Sequence, residues 1–363
     1  MKILTVVGNR PQFVKAAAVS AHLRERADEV LVHTGQHYDR ELSAVFFEEL
    51  GLPPPEHELG VGSGGHAEQT GETMVRLEPV VEAERPDAVL VYGDTNATLA
   101  AALVAAKLPV PLAHVEAGMR SFDRRMPEEV NRVAADRLSD LLLCSTEAAV
   151  ANLRREGLGE GARLVGDVMA DVALHIGPVA ARRSEALERF RLRPGGYLVA
   201  TAHRAANVDD PVRLERLCEL LRCAAIRFGR TILPLHPRTR SRLAAAGLLS
   251  ELEEAPGIEL CEPLGYLDFA CLVRWARAVL TDSGGLQKEA YLAGTPCVTL
   301  REETEWVETV ESGWNRLVGL DLKRALEALK ELDELRREGR PDQSLYGDGE
   351  AGLRIVEELL TWF

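Results

Sequence analysis

The 363-residue chain has no Cys-x-x-Cys pair, no zinc or calcium ligand spacing, no low-complexity tract and no repeat between its halves. Its six cysteines, at 144, 218, 223, 261, 271 and 297, are scattered through apolar segments and read as buried thiols of a reducing compartment. Basic charge is also short: 43 lysines and arginines against 57 acids leave a formal charge of −14. That balance excludes a general nucleic-acid surface while leaving room for a local pocket for one phosphate ligand. The alanine-rich stretch 98–112 is broken by Lys107 and two prolines, well short of the ~20 apolar residues a membrane span needs. The amino-terminal segment reads as a strand and lacks the apolar core and cleavage site of a signal peptide, so the expected location is the cytoplasm.

What is present is alternation of strand-like and helix-like segments, the mark of βαβ units and parallel sheets. Strands are expected near Ile3, Glu29, Ala88, Val110, Asp140 and Arg163, and again near Tyr197, Thr231, Ile258, Ala278, Pro296 and Asn315. At roughly 150 residues per domain the length suits two domains. The expected division is 1–168 together with 350–363, and 169–349, the final apolar helix packing back on the first domain.

Two strand ends of the first half carry acids. The run Val-Pro-Leu-Ala-His-Val115 leads to Glu116, and Ala88-Val-Leu-Val-Tyr-Gly leads to Asp94. Ligands of open α/β sheets bind beyond this edge of the strands. Two carboxylates converging there could divide the roles of acid and base. Taken singly, Asp94 reads equally well as the N-cap of a helix over 95–107, and Glu116 as a loop charge. Downstream, Arg125-Met-Pro-Glu-Glu-Val-Asn-Arg132 adds Glu128 and further arginines.

Each half also offers an anion site. After the first strand, Gly8-Asn-Arg-Pro-Gln-Phe-Val-Lys15 sets Arg10 and Lys15 near a helix N-terminus, although the loop is not the Gly-x-Gly-x-x-Gly of dinucleotide sites. In the second half, Thr281-Asp-Ser-Gly-Gly-Leu-Gln-Lys-Glu289 ends a strand with a hydroxyl at Ser283, then Gly284 and Gly285 free the next helix's amides for a diphosphate. Glu289 is placed to accept both hydroxyls of a ribose. His203 and His236 close two more strands of the same half and read as ligand-facing.

Seven segments in order, Gly8 to Lys15, Thr34-Gly-Gln-His-Tyr-Asp39, Tyr92-Gly-Asp-Thr-Asn-Ala-Thr-Leu99, His114-Val-Glu-Ala-Gly-Met-Arg-Ser121, Pro127-Glu-Glu-Val-Asn-Arg132, Thr201-Ala-His-Arg204 and Thr281 to Glu289, resemble the non-hydrolysing UDP-N-acetylglucosamine 2-epimerases over essentially the whole chain. The resemblance implies an α/β fold of two Rossmann-like doubly wound domains facing a central cleft, like the GT-B glycosyltransferases. It implies interconversion of UDP-GlcNAc and UDP-ManNAc, by loss of the C2 proton and UDP to give 2-acetamidoglucal and their return on the opposite face. No metal or other cofactor is implied. The partner is a UDP-sugar, with neither nucleic acid nor membrane, and a homodimer is the expected assembly.

By motif matching the resemblance makes Asp94, Glu116 and Glu128 the acid/base residues, with His203 near sugar and diphosphate. Arg10 and Lys15 would face phosphate or sugar, and Ser283, Gly284 and Gly285 would hold the diphosphate. Glu289 would take the ribose, and Leu264 and Phe269 would surround the uracil. Gln36, His37 and Gln69 match an allosteric substrate site of some bacterial members, where Glu68 replaces an arginine. Trp306 stands where many members carry a nucleotide-side arginine. The Arg-Pro-Gln-Phe and Glu-Trp-Val-Glu variants resemble relatives that act on 2,3-diacetamido uronates, the alternative substrate class. A GT-B glycosyltransferase would need a sugar acceptor, a sensor would bind without turnover, and a hydrolysing relative would release free UDP.

Overall fold

The computed structural model describes residues 1–35 and 49–363, the side chains of residues 10, 176, 338 and 343 excepted. The chain forms two compact units, Met1–His175 with Tyr346–Phe363, and Ile176–Leu345, the boundary falling inside the helix Val168–Arg183.

Unit 1 contains β1 (Lys2–Val7), β2 (Asp28–His33), β3 (His57–Glu58), β4 (Ala88–Tyr92), β5 (Leu112–Val115), β6 (Leu141–Cys144) and β7 (Ala162–Leu164). They make one parallel sheet in the order β3-β2-β1-β4-β5-β6-β7. Leu4, Val6, Val89 and Val91 are almost fully buried, because helices cover both faces and every strand residue must be apolar rather than every second one. The order reverses between β1 and β4, so their carboxyl ends, Gly8 and Gly93, open the crevice of this sheet.

Unit 2 repeats the plan with β8 (Tyr197–Thr201), β9 (Arg230–Pro234), β10 (Ile258–Cys261), β11 (Ala278–Thr281), β12 (Cys297–Thr299) and β13 (Asn315–Leu317). Its order is β10-β9-β8-β11-β12-β13, again parallel, and it switches between β8 and β11. At that switch Thr201 and Thr281 are in register and their hydroxyls lie 2.7 Å apart.

Three local outcomes depart from the sequence reading. The strand expected from Val110 begins at Leu112, since Pro109 and Pro111 have no N–H to give to a ladder. The two-residue β3 has no apolar run to announce it and pairs at the sheet edge through backbone alone. Asp94 is not a helix cap: Thr95 caps Asn96–Lys107, its hydroxyl accepting from Thr98 N in a reciprocal box with the Thr98 side chain. Asp94 is left for other work.

The helix Ala351–Trp362 belongs to unit 1, packed on the helix Arg10–Arg24. The Asp171 carboxylate accepts from the N–H groups of Ala351 and Gly352 at 3.1 and 2.7 Å, satisfying two of the open donors of the first turn. Gly352 lies so close to the neighbouring helix that a Cβ there would come 2.1 Å from the Ala18 carbonyl oxygen. Among the described residues no helix is long and apolar enough to cross a membrane.

Candidate active site

At the crevice of unit 1 the first helix starts where β1 stops. Asn9 caps it, Pro11 occupies its first turn, and Gln12 is turned back under the strand ends. The Gln12 amide donates to the Tyr92 carbonyl at 2.8 Å and to Thr95 Oγ1 at 3.1 Å, while its oxygen accepts from Gly8 N at 2.7 Å. One buried amide thus ties the ends of β1 and β4 together. One turn on, Lys15 reaches Glu116 and forms an ion pair with it. Burial alone would lower the Lys15 pKa, but Glu116 and Asp94 outweigh that and hold it above the ordinary lysine value.

Glu116 is 7% exposed and has a φ of 67°, the left-handed region that costs a side-chain-bearing residue about 1–2 kcal/mol. Such strain on a buried acid is most often found where geometry serves chemistry. Gly93 lies beneath the pair: a Cβ there would sit 3.3 Å from both Glu116 Oε2 and Lys15 Nζ. Asp94, its side chain about one-third exposed, is paired with Arg132, whose other nitrogen donates to Glu129 at 3.0 Å. Asn131 donates to the Asp94 carbonyl at 2.9 Å. Asp94, Glu116 and Lys15 therefore form one charged cluster in two unlike settings, one carboxylate buried against a lysine and the other partly exposed against an arginine.

Glu128 stands exposed on the first turn of the helix Pro127–Leu138. The acid beside it, Glu129, is buried and accepts from Ser121 N, Ser121 Oγ and Phe122 N at 2.9, 3.0 and 3.0 Å. Glu129, Arg132 and Asp136 recur at helical spacing on one buried face. Glu129 and Arg132 fall inside the motif Arg125 to Arg132 without a role of their own, and Asp136 lies beyond it, although the helical periodicity points to all three. The Arg10 side chain and the residues Gln36 and His37 lie outside the described residues. Gln69 is buried, donating to the Gly62 carbonyl at 3.0 Å and accepting from Asn96 Nδ2 at 2.7 Å. A literal Gly60-x-Gly62-x-x-Gly65 precedes the helix His66–Glu84, but it follows β3 at the sheet edge rather than a strand of the switch point.

In unit 2 the fully buried Asp282 organises the ends of β8 and β11. Its carboxylate accepts from His203 N at 3.1 Å, Arg204 N at 3.0 Å and Asn207 Nδ2 at 3.1 Å. The His203 ring keeps 40% of its surface and lies 5.4 Å from that of His236. Partial desolvation outweighs the attraction of Asp282 and holds its pKa below the ordinary histidine value, so it is neutral at pH 7. His236 caps the helix Pro237–Ala245, Nδ1 accepting from Arg238 N at 3.1 Å, which puts its hydrogen on Nε2.

The helix Gly284–Ala293 begins at Ser283, whose side chain makes no capping bond to the helix. Its first amides are thus left for an anion, with the helix dipole behind them. Gly285 opens on empty space, and a Cβ on Gly284 would meet the Glu305 carboxylate at 1.9 Å. Trp306 Nε1 lies 3.7 Å from that same Cβ position, and Lys288 Nζ stands 4.2 Å from the centre of the indole ring. Residue 306 itself supplies no charge here, and the Glu305 carboxylate beside Gly284 is paired with Arg301 at 2.9 Å. Glu289 is half-buried beside Tyr266, whose hydroxyl is pushed to high pKa by burial first and by Glu289 second. Leu264 and Phe269 pack on the cluster that contains Leu286 and Ala290, the neighbours of Glu289 along its helix.

Residues 20–360 match the family described as UDP-N-acetylglucosamine 2-epimerase. A UDP-2,3-diacetamido-2,3-dideoxy-D-glucuronate 2-epimerase of Pseudomonas aeruginosa is 46% identical, with 99% of each chain covered. Among solved structures, the UDP-GlcNAc 2-epimerase of Methanocaldococcus jannaschii in complex with UDP-GlcNAc and UDP is 41% identical at a TM-score of 0.92, with 100% of each chain covered. The Neisseria meningitidis UDP-GlcNAc 2-epimerase bound to UDP-GlcNAc is 29% identical at a TM-score of 0.89, covering 99% of this chain and 100% of that one. The fold class expected from the sequence, paired Rossmann-like parallel sheets of the GT-B kind, is the one found.

Proposed function

Since this chain belongs to the UDP-N-acetylglucosamine 2-epimerase family, we propose that it inverts C2 of UDP-N-acetylglucosamine, reversibly giving UDP-N-acetylmannosamine. The C2 proton passes to a protein base as the C1–O bond to UDP breaks, leaving 2-acetamidoglucal. UDP then adds back to C1 while a proton is delivered to C2 from the opposite face. The observation that carries this reading is the strained, buried Glu116 paired with Lys15 and accompanied by Asp94 at the switch point of unit 1.

A C2 proton is weakly acidic, so its removal needs a positioned base and strong stabilisation of the departing diphosphate. Asp94 and Glu116 are the acid/base pair, with Glu128 available from its exposed turn and His203 as a neutral imidazole beside the diphosphate. Lys15 keeps its charge at all working pH values and, with Arg10, faces sugar or phosphate. Ser283, Gly284 and Gly285 take the diphosphate, His236 supports it, Glu289 accepts the ribose hydroxyls, and Leu264 and Phe269 flank the uracil. A nucleotide-sugar enzyme with six free thiols suits the reducing cytoplasm.

Proton NMR of UDP-GlcNAc incubated with the protein in D₂O tests the reaction. Deuterium entering C2 together with UDP-ManNAc signals is expected; unchanged substrate at high enzyme concentration rejects the reading for this sugar. The second reading, a UDP-2,3-diacetamido uronate as substrate, is favoured by the 46% identity to the Pseudomonas relative and by Trp306; the same spectrum with that sugar decides between them. Glu289→Ala should weaken UDP binding about tenfold or more, the size of a hydrogen bond to a charged group, with a smaller change in kcat. Isothermal titration with UDP checks this, and an unchanged Kd removes Glu289 from the nucleotide site.

A further inference from the structure

One buried histidine lies beside the strand ends that carry these acids. His114, on β5, has no exposed surface, and both of its ring nitrogens face oxygen: Nδ1 is 2.7 Å from Asp136 Oδ1 and Nε2 is 2.7 Å from the carbonyl oxygen of Gly93. A carbonyl only accepts, so Nε2 must carry a hydrogen. Asp136 is equally buried, and its second oxygen already accepts from Gly118 N at 3.0 Å and from Arg120 Nη1 at 2.7 Å. Burial pushes the Asp136 pKa up, but the bonds from His114 and Arg120 outweigh it and keep the carboxyl below its usual range. An ionised carboxylate cannot donate, so Nδ1 must donate as well. Arg120 also holds Glu156, whose side chain is about one-third exposed, at 2.7 and 2.8 Å, so that two cations and two anions run from the core toward the surface with no net charge.

Resting on the epimerase reading above, we propose that Asp136 is a positioning residue for the reaction, acting through a doubly protonated His114. The ring fixes the peptide that leads from Gly93 into Asp94. The carboxylate's other oxygen fixes the N–H of Gly118, at the end of the turn that holds Glu116 in its left-handed conformation. One carboxylate on the helix Pro127–Leu138 therefore sets the relative placement of Asp94 and Glu116. An acid/base pair misplaced by about 1 Å loses on the order of 10²-fold in rate.

The proton placement is read from the unmodified protein by one-bond ¹H–¹⁵N correlation of ¹⁵N-histidine-labelled material, with His114→Gln identifying the signals. Hydrogens on both His114 nitrogens are expected; a bare ring nitrogen overturns the proposal. In Asp136→Asn the amide cannot accept from His114, Gly118 and Arg120 together, so kcat should fall about 10²-fold while the Kd for UDP stays at the wild-type value. His114→Gln, which keeps one donor for the Gly93 carbonyl and drops the charge, is the second variant and should lose about tenfold in kcat, part of the same misplacement. Turnover within about twofold of wild type in either folded variant overturns the positioning role, that being within the scatter of a neutral change. Wild-type protein that turns over neither UDP-sugar sinks the epimerase reading instead, and the histidine spectrum is independent of that result.

Discussion

Asp94→Asn and Glu116→Gln each lower kcat by about 10²–10⁴-fold, the contribution of a general acid or base, and leave UDP affinity at the wild-type value. Both changes keep the size and shape of the side chain and remove only its ability to take up and return a proton. Lys15 still has one carboxylate neighbour in either variant, because both Glu116 and Asp94 raise its pKa. The residues proposed for the ribose and the uracil all lie in unit 2 and are untouched. Steady-state kinetics beside calorimetric titration with UDP separates the two quantities. Equal losses of affinity in both variants would make these acids binding groups, and undiminished turnover would remove them from the chemistry altogether.

Gly352→Ala is expected to destabilise the protein by about 3 kcal/mol, the upper part of the usual range for overpacking. The new Cβ would lie 2.1 Å from the oxygen and 2.9 Å from the carbon of the Ala18 carbonyl. Both atoms belong to a helix backbone, so no side-chain rotation relieves the clash and the two helices must separate. Separation also lengthens the bonds from Ala351 and Gly352 to Asp171. Chemical denaturation compared with wild type measures the change. A shift below about 0.5 kcal/mol, the scale of an ordinary surface substitution, would mean that the helix crossing is not so close.

The fold was legible because fully buried parallel strands read as apolar runs bounded by turn residues, as Ala88–Tyr92 and Ala278–Thr281 do. The β3 strand was not, since two residues at an edge have no pattern to read. Within the candidate site, the strand-end acids and the Ser283-Gly284-Gly285 turn stand out locally, each being a polar group or glycine directly after an apolar run. Their supports do not, because His114, Asp136, Gln12 and Arg132 act across separations of 16 to 86 residues only where the fold brings them together, or through the backbone. Asp94 illustrates the limit. Its position after a strand and before a helix suits a cap, and only the Thr95–Thr98 box displaces it from that task.

The return of the helix Ala351–Trp362 to unit 1 has a consequence for biosynthesis. A ribosome emits all of unit 2 before it emits this helix. Until then the groove that will receive Ile355, Val356 and Leu359 stays bare against Arg10–Arg24, and Asp171 waits for its amides. The half that bears the paired carboxylates is thus begun first and finished last, so nascent chains interrupted within unit 2 should be caught by chaperones or proteases rather than persist as a folded amino-terminal half.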